Sequence, residues 1–414
     1  MHVAYIHQHF STPRGATGTR SYEMARRLVS AGHRVTMICG AYEAGDQATC
    51  LNRRVMEFEV AGIRVLRVPE LYGNRMGFTR RVIAFGRFAR TATRLVKGLD
   101  ADLVFATSTP LTVGIPGVKG SRKLGVPFVF EVRDLWPELA IALGVVKNPV
   151  LKWYLRRLER NIYTAADRII ALAPGIRDGI QRAGYPGERI VLIPNSSDLD
   201  LFRPSDDKIL DARFGSPDDF RLVFTGAHGL ANGLDAVLDA VAELKHRGVT
   251  GCRFIFIGQG GKRDALMKRS RNQDLDSMVT WLEPIPKDEL ARILPRMDVG
   301  LMILKNVPAF YFGTSPNKFF DYIASGLPVL TNYPGWVADL ITQNRCGMAV
   351  PPDDPRAFAG AVVELRDHRE RRRAMGRSAR LLAESQFSRS ALSDQLVAVL
   401  EGVYYDHHQR RTAR

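Results

Sequence analysis

Cysteine is scarce, with four in 414 residues. Cys39, Cys50, Cys252 and Cys346 lie far apart, with no CxxC spacing and no neighbouring pair of histidines. That scatter argues against a disulfide framework and a structural zinc site, and reduced thiols are the default. No stretch reaches the run of about twenty apolar residues that a membrane span needs. No charged-apolar-small leader opens the chain, so the sequence reads as a protein made and kept in the cytoplasm. Acid is also short: 43 Asp and Glu face 59 Lys and Arg, for a formal charge of +16. Such an imbalance asks for an acidic partner, either nucleic acid, an anionic membrane surface or phosphorylated ligands. The length itself is enough for two domains with full cores.

Much of the basic excess sits in two segments. Residues 73–98 hold Arg75, Arg80, Arg81, Arg87, Arg90, Arg94 and Lys97 with no acid, interleaved with Met76, Phe78, Val82, Ile83, Phe85 and Phe88. Residues 147–163, KNPVLKWYLRRLERNIY, repeat the theme with Trp153 and Tyr154. A basic, amphipathic, aromatic helix suits a membrane interface. Nucleic acid, or a core-packed helix with a solvated basic face, fits the same pattern. The apolar residues are too many for a phosphate-tracking surface, which favours an anionic membrane over nucleic acid.

The stretch that organises the chain is GTSPNKFFDYIASGLPVL, residues 313–330. Ser315 is placed to cap a helix and Pro316 to occupy its first position, while Phe320, Ile323 and Ala324 share an apolar face. Gly326 and Pro328 then stop it. VGLMIL (299–304) before it and the run from Val329 after it read as strands, giving a β-loop-α-β unit whose helix start welcomes phosphate. Lys318 and Asp321, three apart, share a face, so a cation for phosphate lies one turn from a carboxylate for two sugar hydroxyls. That pairing describes a nucleoside diphosphate and its ribose; an ordinary surface Lys-Asp pair is the plainer alternative.

The first half alternates strands and helices, which predicts a parallel doubly wound sheet. HVAYIH (2–7) leads through a Gly- and Thr-rich loop, in which Gly15 and Gly18 would let backbone approach a ligand and Arg20 could meet an anion, or which is simply a surface loop. His7 and His9 form an H-x-H with no third ligand nearby and read as core or loop histidines. EVRDLWPE (131–138) places Arg133, Asp134, Trp136 and Glu138 after a strand, where such sheets keep their sites. Asp134 is the first candidate for a sugar hydroxyl, against a turn cap or an ion pair with Arg133.

IPNSSDLDLFRPSDD (193–207) reads as an interdomain linker, and its Asp198-Leu199-Asp200 is discounted as a metal motif because of that setting. A second doubly wound sheet follows. Its glycine loops at 226–229 and 258–261, with His228, Lys262 and Arg263, would face Lys318 and Asp321 across the strand ends as one diphosphate-sized pocket. Helices fill 354–405, and the tail DHHQRRTAR reads as frayed.

Two such domains, a Pro-Asn hinge, FIGQG and SPNKFFDYIASGLPVL together resemble the GT-B fold and, in motif, glycosyltransferase family 4. RDLWPE with SPNK is similar to the bacterial subgroup that builds O-antigen and capsule repeats, often with N-acetylated amino or deoxy sugars. The resemblance implies two Rossmann-like α/β domains facing each other across a cleft. Residues 1–197 would bind acceptor, 198–385 the nucleotide sugar, and a helix in 386–414 would pack back on the first domain. It implies a retaining, metal-independent transfer without cofactor from a nucleotide-diphosphate donor, most readily UDP-linked, to a polyprenyl-diphosphate-linked or other glycan acceptor. The enzyme would sit peripherally on the inner face of the cell membrane and bind no nucleic acid.

The same resemblance implies residue roles. Asp134 and Lys318 would be catalytic; Gly15, Gly18, Gly226, His228, Gly258, Gly260, Lys262, Ser315, Asn317, Lys318 and Asp321 would bind donor; Arg20, Arg133, Trp136 and Glu138 would bind acceptor. The chain departs from the family at Gly313, where a glutamate is usual, at Asp321, where the second glutamate stands, and in AHGLANG, where His228 and Asn232 replace the usual diphosphate-gripping Arg and Lys. An epimerase of the same fold and a degenerate scaffold are the alternatives.

Overall fold

The computed structural model describes residues 1–13, 15, 18–42, 54–73, 76–205, 211–311 and 313–412. Cys50, Arg75 and parts of the first glycine loop and of the 193–207 segment therefore lie outside the described residues. The chain forms two units: Met1–Pro194 with Gly313–Ser315 and Ser390–Arg414, and Asn195–Phe312 with Pro316–Arg389.

The first unit runs β1 (His2–Ile6), α1 (Arg20–Ser30), β2 (Arg34–Tyr42), β3 (Met56–Val60), β4 (Ile63–Tyr72), α2 (Phe78–Lys97), β5 (Leu103–Thr107), α3 (Gly114–Leu124), β6 (Phe128–Val132), α4 (Glu138–Ala142), α5 (Pro149–Ala165), β7 (Arg168–Ala171), α6 (Pro174–Arg182) and β8 (Ile190–Leu192). Its sheet has the order β3-β4-β2-β1-β5-β6-β7-β8. Every residue of β1, β5 and β6 is buried, as the unbroken runs HVAYI, LVFAT and FVFEV require of strands covered on both faces. The sheet is not wholly parallel. MEFEV alternates half-buried and exposed residues and pairs antiparallel with β4 at the sheet edge. Ala61 and Gly62, both at positive φ (50° and 76°), make the tight turn between them.

The second unit runs β9 (Phe220–Thr225), α7 (Asp235–His246), β10 (Cys252–Ile257), α8 (Arg263–Asn272), β11 (Val279–Leu282), α9 (Lys287–Ile293), β12 (Val299–Met302), α10 (Pro308–Tyr311), α11 (Asn317–Ala324), β13 (Val329–Thr331), α12 (Trp336–Gln343), β14 (Gly347–Ala349), α13 (Pro355–Asp367) and α14 (Arg369–Gln386). The sheet order is β11-β10-β9-β12-β13-β14, parallel throughout. Leu222, Phe224, Phe254 and Phe256 pack on Val237, Leu238 and Val241 of α7. The pairing of Thr225 with Ile257 ends two strands side by side, which sets the glycines that follow them together.

The 193–207 segment contains the Pro194/Asn195 boundary between the units and is packed where it is described: Ser197 and Phe202 are fully buried, Ser197 donates to the Phe320 carbonyl (2.8 Å), and Arg389 donates to Asp198 (2.5 Å). Its Pro, Asn and Ser content signals irregular backbone, and irregular backbone still packs. Two expectations are corrected here. The tail is helical, not frayed, as far as it is described. Helix α15 (Arg389–Thr412) runs almost to the end, with His407 and Arg411 at the Gly125 carbonyl (3.0 and 3.3 Å). Ser315 does not cap α11, since Pro316 stands in the cap position and the helix begins at Asn317.

Candidate functional site

In the second unit the strand ends gather most of the donor-side residues. Gly226, at φ +120°, follows β9, and the Lys318 Cε and Nζ lie 3.4 Å from where its Cβ would be. Gly258, at φ +146°, follows β10; a Cβ there would sit 1.9 Å from the Gly226 carbonyl oxygen, so only glycine fits. Gly260 is held as closely against the His228 backbone, with a would-be Cβ 2.5 Å away. The His228 N–H donates to the Gln259 carbonyl (2.8 Å) and the Lys262 N–H to the His228 carbonyl (2.9 Å), which ties the two loops together. Lys262 itself points its chain into solvent.

Lys318 reaches this knot from the first turn of α11. Its ammonium donates to the Asn232 side-chain carbonyl (3.3 Å) and lies 3.7 Å from the centre of the Phe224 ring. Asn232 is itself fixed by donating to the Ala227 carbonyl (2.7 Å). No carboxylate pairs with Lys318 among the described residues, and burial alone pushes its pKa down from 10.5 to about 7. An ammonium resting on an aromatic face and a neutral amide is poised to gain from an arriving anion. His228 cannot supply a second charge at neutral pH. Burial first, then Arg263 and Lys318, push it down to about 4, and neither ring nitrogen has a partner among the described residues. Arg263 is already engaged by Glu283 (2.7 Å).

Asp321 is not placed with Lys318. Its carboxylate faces the Lys287 ammonium at 3.6 Å, with Arg389 and Asp198 close enough to influence its titration. Burial raises its pKa, and Lys287 and then Arg389 oppose that rise. The two side chains leave α11 for different partners, Lys318 for Asn232 beside β9 and the shorter Asp321 for Lys287. Phe224, Glu283 and Lys287 are neighbours that the sequence reading passed over. Glu283, just after β11, could have been found by the strand-end rule that singled out Asp134.

The first unit brings a different polar group to the ends of β1, β5 and β6. Arg20 is engaged: Nε and Nη2 donate to Glu131 (3.0 and 2.8 Å), Nη2 also to the Ile193 carbonyl (2.9 Å), and Nη1 to the Pro194 carbonyl (2.6 Å). With Arg20 6% exposed and four of its five N–H groups engaged, one Nη1 hydrogen is left, and the side chain is held in place mainly by Glu131 and the backbone. Arg133 donates to His7 Nε2 (3.2 Å), so His7 Nδ1 carries the proton toward Ser21 (2.8 Å). Burial and then Arg133 hold His7 and His9 neutral, His9 at about 4. Asp134 accepts no hydrogen bond among the described residues; burial raises its pKa and Arg133 moderates the rise. Glu138 is exposed and lines a separate hollow of about 390 Å³ with Arg182, 3.9 Å away. Gly15, whose N–H closes a turn on the Thr12 carbonyl (3.0 Å), and Gly18 also belong to this unit.

Among the described residues no group of three or more His, Cys, Asp or Glu could hold a metal ion. No described helix is long and apolar enough to cross a membrane. Helix α2 turns Ala84, Phe88, Ala89, Ala92 and Val96 into the core, leaving Val82 and Ile83 outside. Helix α5 keeps more of the interfacial pattern, with Val150, Trp153 and Tyr154 exposed by 70%, 62% and 53% beside Lys152, Arg156 and Arg157.

Comparison with known proteins bears on both units. The glycosyl transferase 4-like domain profile matches residues 15–196, and that of glycosyl transferases group 1 matches residues 219–368. The chain is 28% identical over 287 residues to an alpha-D-kanosaminyltransferase of Streptomyces kanamyceticus, covering 67% of this chain and 71% of the other. It is 27% identical to a GDP-mannose-dependent alpha-mannosyltransferase of Mycobacterium tuberculosis, over 77% and 79% of the two chains. A solved Anabaena protein in complex with UDP superposes with a TM-score of 0.72 at 18% identity, over 97% of this chain and 100% of that one.

Proposed function

Starting from a chain that is a glycosyltransferase of the GT-B type, with a family 4-like and a group 1 domain, we propose that it is a retaining transferase moving a sugar from a UDP-linked donor to a polyprenyl-diphosphate-linked glycan in surface polysaccharide assembly. The observation that carries the donor half is Lys318: a cation without a carboxylate partner among the described residues, held at the glycine knot of two strand ends. The family's usual diphosphate-gripping Lys is replaced by Asn232, and Lys318 hydrogen bonds to Asn232, so the charge is supplied from another element at the same place. As the sugar–phosphate bond breaks, Lys318 and the loop N–H groups stabilise the charge growing on the leaving diphosphate. The acceptor hydroxyl attacks on the face the diphosphate leaves, which retains the anomeric configuration. Asp134, a carboxylate with no hydrogen-bond donor among the described residues, is a group on the first unit suited to a sugar hydroxyl. The amino-sugar transferase from Streptomyces supports an amino or deoxy sugar, and the Anabaena complex supports UDP. The mannosyltransferase similarity makes GDP the base to exclude.

Calorimetric titration with UDP, GDP and ADP tests the donor reading. At pH 8 Lys318, with its pKa near 7, is mostly neutral before binding. A bound diphosphate restores its charge, so UDP binding should take up nearly one proton, seen as a heat that depends on the buffer's ionisation enthalpy. Binding of none of the three, or binding of UDP without proton uptake, would remove Lys318 from this role.

The membrane half rests on α5. Arg156→Gln with Arg157→Gln should weaken binding to anionic vesicles by roughly thirtyfold, at about 1 kcal/mol per cation, and leave donor hydrolysis unchanged. Equal binding by variant and wild type would detach α5 from the membrane.

A further inference from the structure

The second unit also has a large hollow away from the glycine knot. A cleft of about 1070 Å³ opens at the amino-terminal ends of its strands, lined by Phe220 and Arg221 at the start of β9, by Asp298 just before β12, by Ser325 to Pro328 between α11 and β13, and by one face of α14. Strand β9 is six residues long, so the cleft and Gly226 are about 20 Å apart, at opposite ends of the sheet. Seven arginines and three aspartates line it.

Its charge is concentrated along α14. Arg369, Arg373 and Arg377 recur every four residues on one stripe, the spacing at which like charges repel. Arg373 is relieved by Glu370 (3.2 Å), whereas Arg369 and Arg377 have no carboxylate among the described residues. Arg372 reaches Asp298 (3.4 Å), and burial, then Arg369 and Arg373, push its pKa down against that aspartate. Arg221 is 3% exposed and donates to the Ser216 carbonyl (2.7 Å), yet its Nε has no partner among the described residues. A buried guanidinium donor left open beside unneutralised arginines is an anion site short of its anion.

We infer that this cleft binds a soluble small molecule carrying two or more phosphate groups, at a site separate from the sugar donor's. The volume exceeds what a single phosphate fills and matches a phosphorylated metabolite or nucleotide. The recessed Arg221 and Arg372 exclude a flat bilayer as the occupant, because a surface cannot reach them. The cleft also touches the last turn of α11, whose first turn carries Lys318: Ser325 and Gly326 line it, and Arg380, also lining it, donates to the Ala324 carbonyl (2.7 Å). Its ligand is therefore placed to bias the helix that serves the donor.

Tripolyphosphate is the probe. It is titrated calorimetrically into wild type, Lys318→Met and Arg369→Gln/Arg377→Gln, with UDP titrated into each in parallel. The expected result is a tripolyphosphate site that survives Lys318→Met and weakens at least tenfold in the double variant, which binds UDP as wild type does. Both arginines are exposed, so the double variant should melt as wild type does. Tripolyphosphate binding unchanged in the double variant would overturn the inference. So would binding to phosphatidylglycerol vesicles that falls with the same two arginines, which would make a lipid headgroup the ligand. Failure of UDP binding in wild type alone would strike the donor reading and leave this one standing.

Discussion

Lys318→Met should lower kcat/KM for sugar transfer by 100-fold or more and raise the melting temperature by a few degrees. The two effects have one origin. The unfolded chain keeps the Lys318 proton up to its ordinary 10.5, whereas the folded protein releases it near 7 because burial disfavours the charge. Between those values the unfolded state binds more protons, so stability rises with pH across the window and is poorest near and below pH 7, where the charged form is held in the fold. Methionine fills the same space over Phe224 without that cost, and loses the only charge found at the Asn232 amide among the described residues. Steady-state kinetics and a melting curve at pH 7 and pH 9 check both halves; the gain in melting temperature should shrink at pH 9. A variant that turns over as wild type does would assign the leaving diphosphate to another group.

Arg20→Met is the second large effect, and it acts on folding. Glu131 is fully buried and takes two hydrogen bonds from Arg20 and one from the Thr107 hydroxyl (2.6 Å). Burial pushes the Glu131 pKa up, but Arg20, with Arg133 and Thr107, more than offsets this and holds it below the ordinary value. Removing the guanidinium strands a buried carboxylate, at a cost of about 3–5 kcal/mol. The wild-type pair contributes stability above the carboxylate's ordinary pKa and loses it as pH falls through the lower folded value. Chemical denaturation at pH 7 should show the loss in Arg20→Met and most of it recovered in Arg20→Met/Glu131→Leu, where no charge is left unpaired. A single variant as stable as wild type would mean that water replaces the guanidinium.

The strands were legible because a buried parallel strand is written as an unbroken apolar run, and HVAYI, LVFAT, CRFIFI and VGLM have no other use. The glycine loops were legible too, since each follows such a run. What the sequence could not show is where long side chains go. Three-residue spacing puts Lys318 and Asp321 on one face, but the lysine spans far enough to join Asn232, 86 positions away, while the aspartate stops at Lys287. Arg20 looked like an anion contact at a helix start because its partner, Glu131, lies 111 residues on in an otherwise apolar strand. The edge strand β3 was missed for the opposite reason. MEFEV is short, half polar and beside residues 43–53, so its alternation is too brief to stand out.

Helix α15 gives the chain an order of events. The first unit takes its last segment from Ser390 onward, with Asp394 pairing Arg27 (2.5 Å), Glu401 pairing His33 (2.9 Å), and Leu396, Leu400 and Val403 buried. In sequence, most of the second unit is therefore an insertion within the first. On a ribosome adding about 5–20 residues per second, the first unit must wait on the order of ten to forty seconds for the segment that covers it. The inserted unit can meanwhile close its own sheet. Nascent chains released just before residue 390 should thus carry a finished second unit and an unfinished first unit with exposed apolar surface, the species on which a holdase would act.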